Sequence, residues 1–431
     1  VKIFVLGADH GTGERETLES IAVEMKEIET IPVPAGHIRT INEIIAVTED
    51  VFCMTIRAGS IILPGFMASL DGLIGEIESA GLAWMHLRTA EDSGSLQAKF
   101  RPGEPGPVLW NIGLIREGKL TFPETGELPF DWLVEWELMH KLSLIARGRT
   151  VAVPHWSPSN RKSKDWKRKA EEWAKLAPLV CPAGNVPASL TEKAIPELTI
   201  VLAAYNAADY IPWAVKSIQR QTASEWQLIL VDDGSTDESP RMMNKWAEED
   251  PLRIQVVRIE SNRGKAAALN AALPLARAPW LLELDADDWL DPVCVEEMAH
   301  KLQSVEKDTV LVYANHTVWR QDQAAHVSLR EKHIYPEEIN MKQMLVSGVP
   351  LAPRLFRTER LRSLGGWRTD DPAAGRLYED MLMIIRILQT GKPFFADGCY
   401  YHRRVRANSI TRMHQDQYTQ WCQWVEEAYL Q

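Results

Sequence analysis

Residues 281–292 read "LLELDADDWLDP". Behind Pro279 and Trp280, an apolar run breaks into five carboxylates: Glu283, Asp285, Asp287, Asp288 and Asp291. A short apolar run of this kind reads as a buried strand, and the acids collect at its C-terminal end. Such a cluster repels itself unless something positive sits among it. The reading of the fold turns on what the rest of the chain brings to that strand end.

Two more stretches have the same build. "LTIVLAAYNAADYIPWAVKSIQRQ" (198–221) is an apolar strand, a polar loop and an amphipathic helix. "WQLILVDDGSTDES" (226–239) runs an apolar strand into Asp232-Asp233-Gly234-Ser235, ahead of a helix start rich in Ser, Thr and Asp. In open, largely parallel α/β sheets, ligands bind at the carboxyl ends of strands, where loop amides and helix N-termini gather. Tyr205, Asp232 and Asp285 are therefore expected on one rim. A carboxylate there can accept hydrogen bonds from a base ring or from ribose hydroxyls. Hard oxygen ligands suit Mg²⁺ or Mn²⁺, which bind through one or two carboxylates plus substrate phosphates. A divalent ion bridging a diphosphate is the expected source of the missing charge. The competing reading is a set of acids that cap helices.

Composition bounds the rest. A chain of 431 residues holds two or three domains, and 45% hydrophobic residues fill their cores. The balance of 48 basic against 59 acidic residues, a net charge of −11, argues against a nucleic-acid partner. Five cysteines, at 53, 181, 294, 399 and 422, show neither metal spacing nor a disulfide ladder, so free thiols in a reducing cytoplasm are expected. No apolar run approaches the ~18 residues of a membrane span. The opening "VKIFVLG" is too short for a signal peptide and ends in Gly as a strand does, while a leader ahead of Val1 stays open.

The chain divides into an α/β stretch (1–157), a linker (158–195) and a second α/β stretch (196–431). The linker carries a helix with Trp166, Ala170, Trp173 and Ala177 on one face, broken by Pro178, Pro182, Gly184 and Pro187. The two α/β stretches resemble each other. "AGHIRTINEIIAVTEDVFCMTIRAGSIILP" (35–64) lies without gaps over "RGKAAALNAALPLARAPWLLELDADDWLDP" (263–292) at a constant shift of 228. The opening "VKIFVLGA" needs a shift near 197 over "LTIVLAAY". The first half thus lacks about 30 residues, around "LILVDDGSTDES". Further on, Gly148 overlays Gly391 and Glu137 overlays Asp380, while the acids of "DADD" become Arg57, Gly59 and Ser60. The front stretch reads as a copy of the same fold with its charged site erased. The glycines of "GADHGTGER" fit neither phosphate-loop pattern, so a turn is expected there.

"AAYNAADYIPWAVKSIQRQT", "LILVDDGSTDES", "NRGKAAALNAAL", "LDADDWLDP" and "YEDMLMIIRIL" occur in the order and spacing of family-2 glycosyltransferases, which the chain resembles over residues 197–412. The resemblance implies a GT-A fold, α/β and Rossmann-like with a mostly parallel central sheet, preceded here by the degenerate GT-A-like domain. It implies inverting transfer of a sugar from a nucleotide-sugar donor, a UDP-sugar, to the hydroxyl of a glycan or other acceptor. It would place the uridine on the backbone of Ala203, Ala204 and Tyr205 and on Asp233. Lys265 would approach the nucleotide, Asp285 the ribose or the ion, and Asp287 would coordinate Mn²⁺ or Mg²⁺. Asp380 would be the general base, removing the acceptor proton as its oxygen attacks the anomeric carbon. Trp367 and Glu379 fall on the acceptor side, with "DDPAAGRLYED" (370–380) as a flexible acceptor loop, and Trp289 and Trp367 are candidates for stacking on sugar.

The chain departs from the family where a pattern like "RxHxNSIT" supplies a metal-binding His. Here "RRVRANSIT" puts Arg406 in that place. Arginine cannot ligate a cation but pairs bidentately with phosphate, so either His402 substitutes or Arg406 shares the ion's role. "RKSKDWKRK" (161–169) reads as a solvated helix face, with peripheral docking on an anionic membrane as the second reading. Two rivals from other classes are a catalytically silent sugar-nucleotide-binding scaffold and a sugar-phosphate nucleotidyltransferase. The latter needs a Gly-rich basic loop after the first strand, which "AAYNAADY" is not.

Overall fold

The structure is a computed structural model that describes residues 1–8, 12–34, 38–89, 106–122, 133–143, 145–153, 156–157, 171–172, 174–176, 178–179, 195–321, 327–347, 351–406 and 415–430. It separates into two compact units, Val1–Cys181 and Pro182–Gln431. Both are α/β, as expected. The linker-helix face, the basic run 161–169 and the turn at 9–11 lie outside the described residues. No described helix is long and apolar enough to cross a membrane.

The front unit contains β1 (Lys2–Ala8), β2 (Thr30–Pro34), β3 (Phe52–Arg57), β4 (Ile61–Ile62), β5 (Trp84–Thr89), β6 (Val108–Asn111), β7 (Gly148–Val153) and β8 (Trp156–Ser157). Six of them form a sheet in the order β2-β1-β3-β6-β5-β7, and β4 pairs with β8. Successive neighbours run parallel, parallel, antiparallel, antiparallel, parallel.

The rear unit contains β9 (Leu198–Ala204), β10 (Trp226–Asp233), β11 (Ile254–Ile259), β12 (Trp280–Asp285), β13 (Trp289–Leu290), β14 (Thr309–Gln321), β15 (Val327–His333), β16 (Arg354–Arg357) and β17 (Lys392–Val405). They make one sheet ordered β11-β10-β9-β12-β16-β14-β17-β13, with β15 beside β14. From β11 to β12 the strands are parallel, and beyond β12 the directions are mixed. With β10 taken out, the order from β11 to β17 shows the same run of directions as the front sheet.

The parallel strands are buried over nearly their full length, which is why β9, β10 and β12 read as continuous apolar runs rather than alternating ones. The chain winds from β9 outward through β10 to β11, then returns to the other side of β9 as β12. That reversal creates the crevice in which such sheets hold ligands. Ala204 lies opposite Asp232, and Ala203 opposite Asp285, so the three strand ends share one level.

Across the sheet, Glu283 of β12 stands directly opposite Arg354 of β16. Both side chains are buried, and the guanidinium grips the carboxylate with two hydrogen bonds of 2.9 and 2.7 Å. Removing one member of a buried pair strands the other charge, at a cost of about 3–5 kcal/mol. Arg354→Leu is therefore expected to lower the unfolding free energy of the rear unit, read from urea titration, by that amount. The double variant Glu283→Leu/Arg354→Leu should recover most of the loss, because neither charge is left alone.

Candidate active site

The rim at the ends of β9, β10 and β12 is assembled by its own loops. Asp232 accepts the Ser235 amide at 2.9 Å and shapes the turn after β10. That turn hooks the loop after β9: the Asn206 amide donates to Ser235 Oγ, and the Ala207 amide donates to Ser239 Oγ. Gly234, at φ +76°, lies so close to Ser261 and Asn262 that a side-chain carbon would collide with their backbone. Asp233 uses both carboxylate oxygens to hold the next loop, accepting the amides of Arg263 (2.9 Å) and Gly264 (2.8 Å). The helix Lys265–Ala272 starts from that anchored loop, which fixes where Lys265 points.

Lys265 reaches three carboxylates: Asp285 at 2.5 Å, Glu283 at 2.9 Å and Glu379 at 3.1 Å. Arg354, 1% exposed, adds Asp285 at 3.5 Å and Asp380 at 3.7 Å to its pair with Glu283. Arg406 pairs with Asp287 at 2.6 Å. The charge demanded by the acidic stretch is thus supplied by protein side chains. Burial works against the Asp285 carboxylate, but Lys265 and Arg354 outweigh it and hold the group below the ordinary carboxylate range. Burial likewise disfavours the Lys265 ammonium, and Asp285, Glu283 and Glu379 reverse this, keeping it protonated. Asp288 is structural: its carboxylate accepts from the Tyr401 hydroxyl and the Arg404 amide, both at 2.7 Å, tying the loop to β17.

Asp380 sits in the first turn of the helix Glu379–Leu388, 14% exposed, with one oxygen accepting the Met381 amide and the other facing Arg354. The structure therefore brings Asp233, Lys265, Asp285, Glu379 and Asp380 into one chain of contacts, with Asp287 two residues beyond Asp285. Tyr205, at the end of β9, is 48% exposed, leaving an aromatic face open at the rim.

Several expectations change. Trp289 is wholly buried among Trp213, Trp319 and His402. Trp367 is 2% exposed and packs edge-on against Phe356, its backbone bound to the Asn270 amide group. Neither ring can lie against a sugar. His402 is fully buried, stacked on Trp289, and accepts a hydrogen bond from Trp319 Nε1, while its Nε2 faces Asp291 rather than Asp287. With Asp285 paired to Lys265 and Asp287 to Arg406, the residues expected to hold the ion do not form a ligand set. No group of three His, Cys, Asp or Glu side chains among the described residues is arranged to hold a metal. Nor is the 370–380 loop untethered: Asp371 accepts from the Gly375 amide and Trp421 Nε1, and the Gly375 carbonyl binds the Ala266 amide.

Sequence reasoning missed Arg354, Arg404 and Tyr210. Arg354 alone had a signal, a charge set inside the apolar run "LAPRLF". In the front unit Arg57 pairs with Glu135 at 2.6 Å, and Thr55 donates to the same carboxylate. A shallow depression lined by Asn270, Leu273, Pro274, Arg362 and Gly365 involves none of the candidate residues.

Residues 199–365 match the family described as Glycosyl transferase family 2. Among relatives, EpsH of Bacillus subtilis, named as a glycosyltransferase, is 28% identical over 51% of this chain and 64% of its own length. The chondroitin synthase of Escherichia coli is 35% identical over 25% of this chain and 16% of its own. The chain thus spans less than two thirds of the length of these curated relatives. Among solved structures, Staphylococcus aureus TarS residues 1–349 with UDP aligns at 18% identity and a TM-score of 0.40, over 48% of this chain and 60% of that one.

Burial pushes the Glu379 carboxyl up; Lys265 pulls it down, Asp380 and Glu283 push it up again, and it comes to rest at about 7. An unfolded glutamate titrates near 4.5, so the folded state is favoured at low pH and loses that advantage as pH rises from 4.5 through 7. Relative to Glu379→Gln, the wild type should lose about 1.4 kcal/mol across this window for each pKa unit of the upward shift. Urea titrations of both proteins at pH 4.5, 6 and 8 measure this, and a pH-independent difference between them would contradict it.

Proposed function

We propose that this chain, whose residues 199–365 are a glycosyltransferase family 2 domain, moves a sugar from a nucleotide-sugar donor to an acceptor hydroxyl with inversion at the anomeric carbon. The observation that carries this reading is the network joining the rim residues Asp233, Lys265 and Asp285 to the partly exposed carboxylate of Asp380.

In this reading the base ring of the donor, uracil by preference, stacks on the open face of Tyr205 and meets the backbone of Ala203 and Ala204. Asp233 acts mainly through the loop it holds, since both its oxygens already accept backbone amides. The acceptor hydroxyl approaches Asp380. The Asp380 carboxylate takes the proton as the acceptor oxygen forms its bond to the anomeric carbon, and the bond to the diphosphate oxygen breaks on the opposite face. Arg354 orients Asp380 without neutralising it, because the guanidinium is 3.7 Å away and bound more closely to Glu283. Glu379, held by Lys265, borders the acceptor side.

The described residues do not form a divalent-metal site, so no step is routed through one. The silent-scaffold alternative finds no support, since the relatives are named as glycosyltransferases and synthases. For the front unit, the run of strand directions shared with the rear sheet supports reading it as a degenerate copy, with the Arg57–Glu135 pair where the rear unit has its acids. Its proposed role is to orient acceptor or mediate assembly.

General-base catalysis contributes roughly 10²–10⁴-fold. Asp380→Asn should lower transfer by about that factor while donor binding is retained. The measurement is a thermal-shift screen of nucleotide sugars, since a ligand that binds only the folded state raises apparent stability, followed by a transfer assay with the best binder. Equal turnover in the variant would remove Asp380 from the mechanism, and the absence of a shift with any nucleotide sugar would remove the donor site.

A further inference from the structure

Strand β17 ends in Arg404 and Val405, Arg406 follows directly, and residues two apart on an extended chain project to the same side. Both guanidinium groups lie over one ring, that of Tyr210, at 5.2 Å for Arg404 and 4.4 Å for Arg406. Tyr210 caps the helix Ile211–Gln219, five residues past Tyr205 on the rim. Trp289 backs Arg404 at 5.4 Å.

The two arginines differ in how they are paired. Arg406 donates to Asp287 through Nη2, and its Nε is buried without a hydrogen-bond partner among the described residues. Arg404 is 6% exposed, and both its Nε and its Nη2 are buried without a partner among the described residues. The Asp288 carboxylate beside it is already engaged by the Tyr401 hydroxyl and by the Arg404 backbone amide. Buried polar groups are almost always hydrogen-bonded. A guanidinium stacked between aromatic rings, with an edge of N–H groups unspent, is built to receive an acceptor that the described residues do not supply. Planar forks of this kind match phosphate oxygens in pairs.

We propose that Arg404 and Arg406, stacked on Tyr210, form a clamp for the donor's diphosphate and do the work of charge neutralisation that a divalent ion would otherwise do. Asp287 then serves as the anchor of Arg406 rather than as a metal ligand. The clamp reads the diphosphate and is indifferent to the base. As the bond to the anomeric carbon breaks, the negative charge gathering on the leaving oxygens is met by fixed guanidinium donors that need no reorganisation. The inference rests on the proposed donor site, but the two can fail separately.

The test is calorimetric binding of UDP to the full chain in EDTA and in Mn²⁺, alongside uridine and the variants Arg404→Gln and Arg406→Gln. Wild-type affinity for UDP is expected to be the same in both buffers. Each variant should weaken UDP binding in EDTA by roughly tenfold, the scale of a lost charge-assisted hydrogen bond, and leave uridine binding unchanged. Arg404→Gln alters a buried position, so Arg406→Gln, which is partly exposed, keeps the test decisive if the first variant fails to fold. UDP binding that requires Mn²⁺, or two folded variants that bind UDP in EDTA as tightly as wild type, would overturn the clamp and leave the donor site standing. If UDP, GDP, CDP and ADP all fail to bind the folded chain in both buffers, the donor site itself falls and the clamp with it.

Discussion

The Arg354 guanidinium is the contact on which the rear unit's chemistry depends. It is buried on β16, paired across the sheet with Glu283 of β12, and within 4 Å of both Asp285 and Asp380. Close charges near a protein surface interact by about 4 kcal/mol, and burial raises both that attraction and the cost of desolvation. The group persists because several carboxylates share it. Lys265 meets the same acids from the other side. Two cations thereby hold four acids, contributed by β12 and by the helix Glu379–Leu388, which would otherwise repel one another.

That arrangement separates roles among carboxylates that look alike in sequence. Glu283 is a counter-ion. Asp285 stays ionised at the rim, held by two cations. Asp233 and Asp288 are fasteners, one for the loop before Lys265 and one for β17. Asp287 positions Arg406. Asp380 combines partial exposure with a cation 3.7 Å away, the setting on which its proposed role as base rests. The aromatic surfaces divide likewise: Tyr205 faces outward, Tyr210 supports two arginines, and Trp289 and Trp367 fill the core.

Much of this was legible in the sequence. Apolar runs leading into polar loops identified β9, β10 and β12 and their common rim, because fully buried parallel strands carry an unbroken signal. Motif spacing singled out Lys265 and Asp380, and both join the network of charges around Arg354 and Glu379. The missed parts share a physical cause. Arg354 lies on an antiparallel strand remote in sequence from "LDADDWLDP", and only the sheet order reveals that it faces Glu283. The stacking of Arg404 and Arg406 on Tyr210 joins residues almost 200 positions apart. His402 looked like a ligand because composition cannot tell a core histidine, stacked on Trp289, from an exposed one. The tryptophans were misjudged for the same reason, since exposure is a property of packing rather than of residue type.

The central claim is that one cleft holds a nucleoside diphosphate on one side and presents Asp380 to the acceptor on the other. A crystal structure of the chain with UDP tests it most directly. The account predicts uracil against Tyr205, the diphosphate directed toward Arg404 and Arg406, and the Asp380 carboxylate facing open space across from it. UDP bound away from the ends of β9, β10 and β12, or an Asp380 carboxylate turned away from the bound diphosphate, would contradict it.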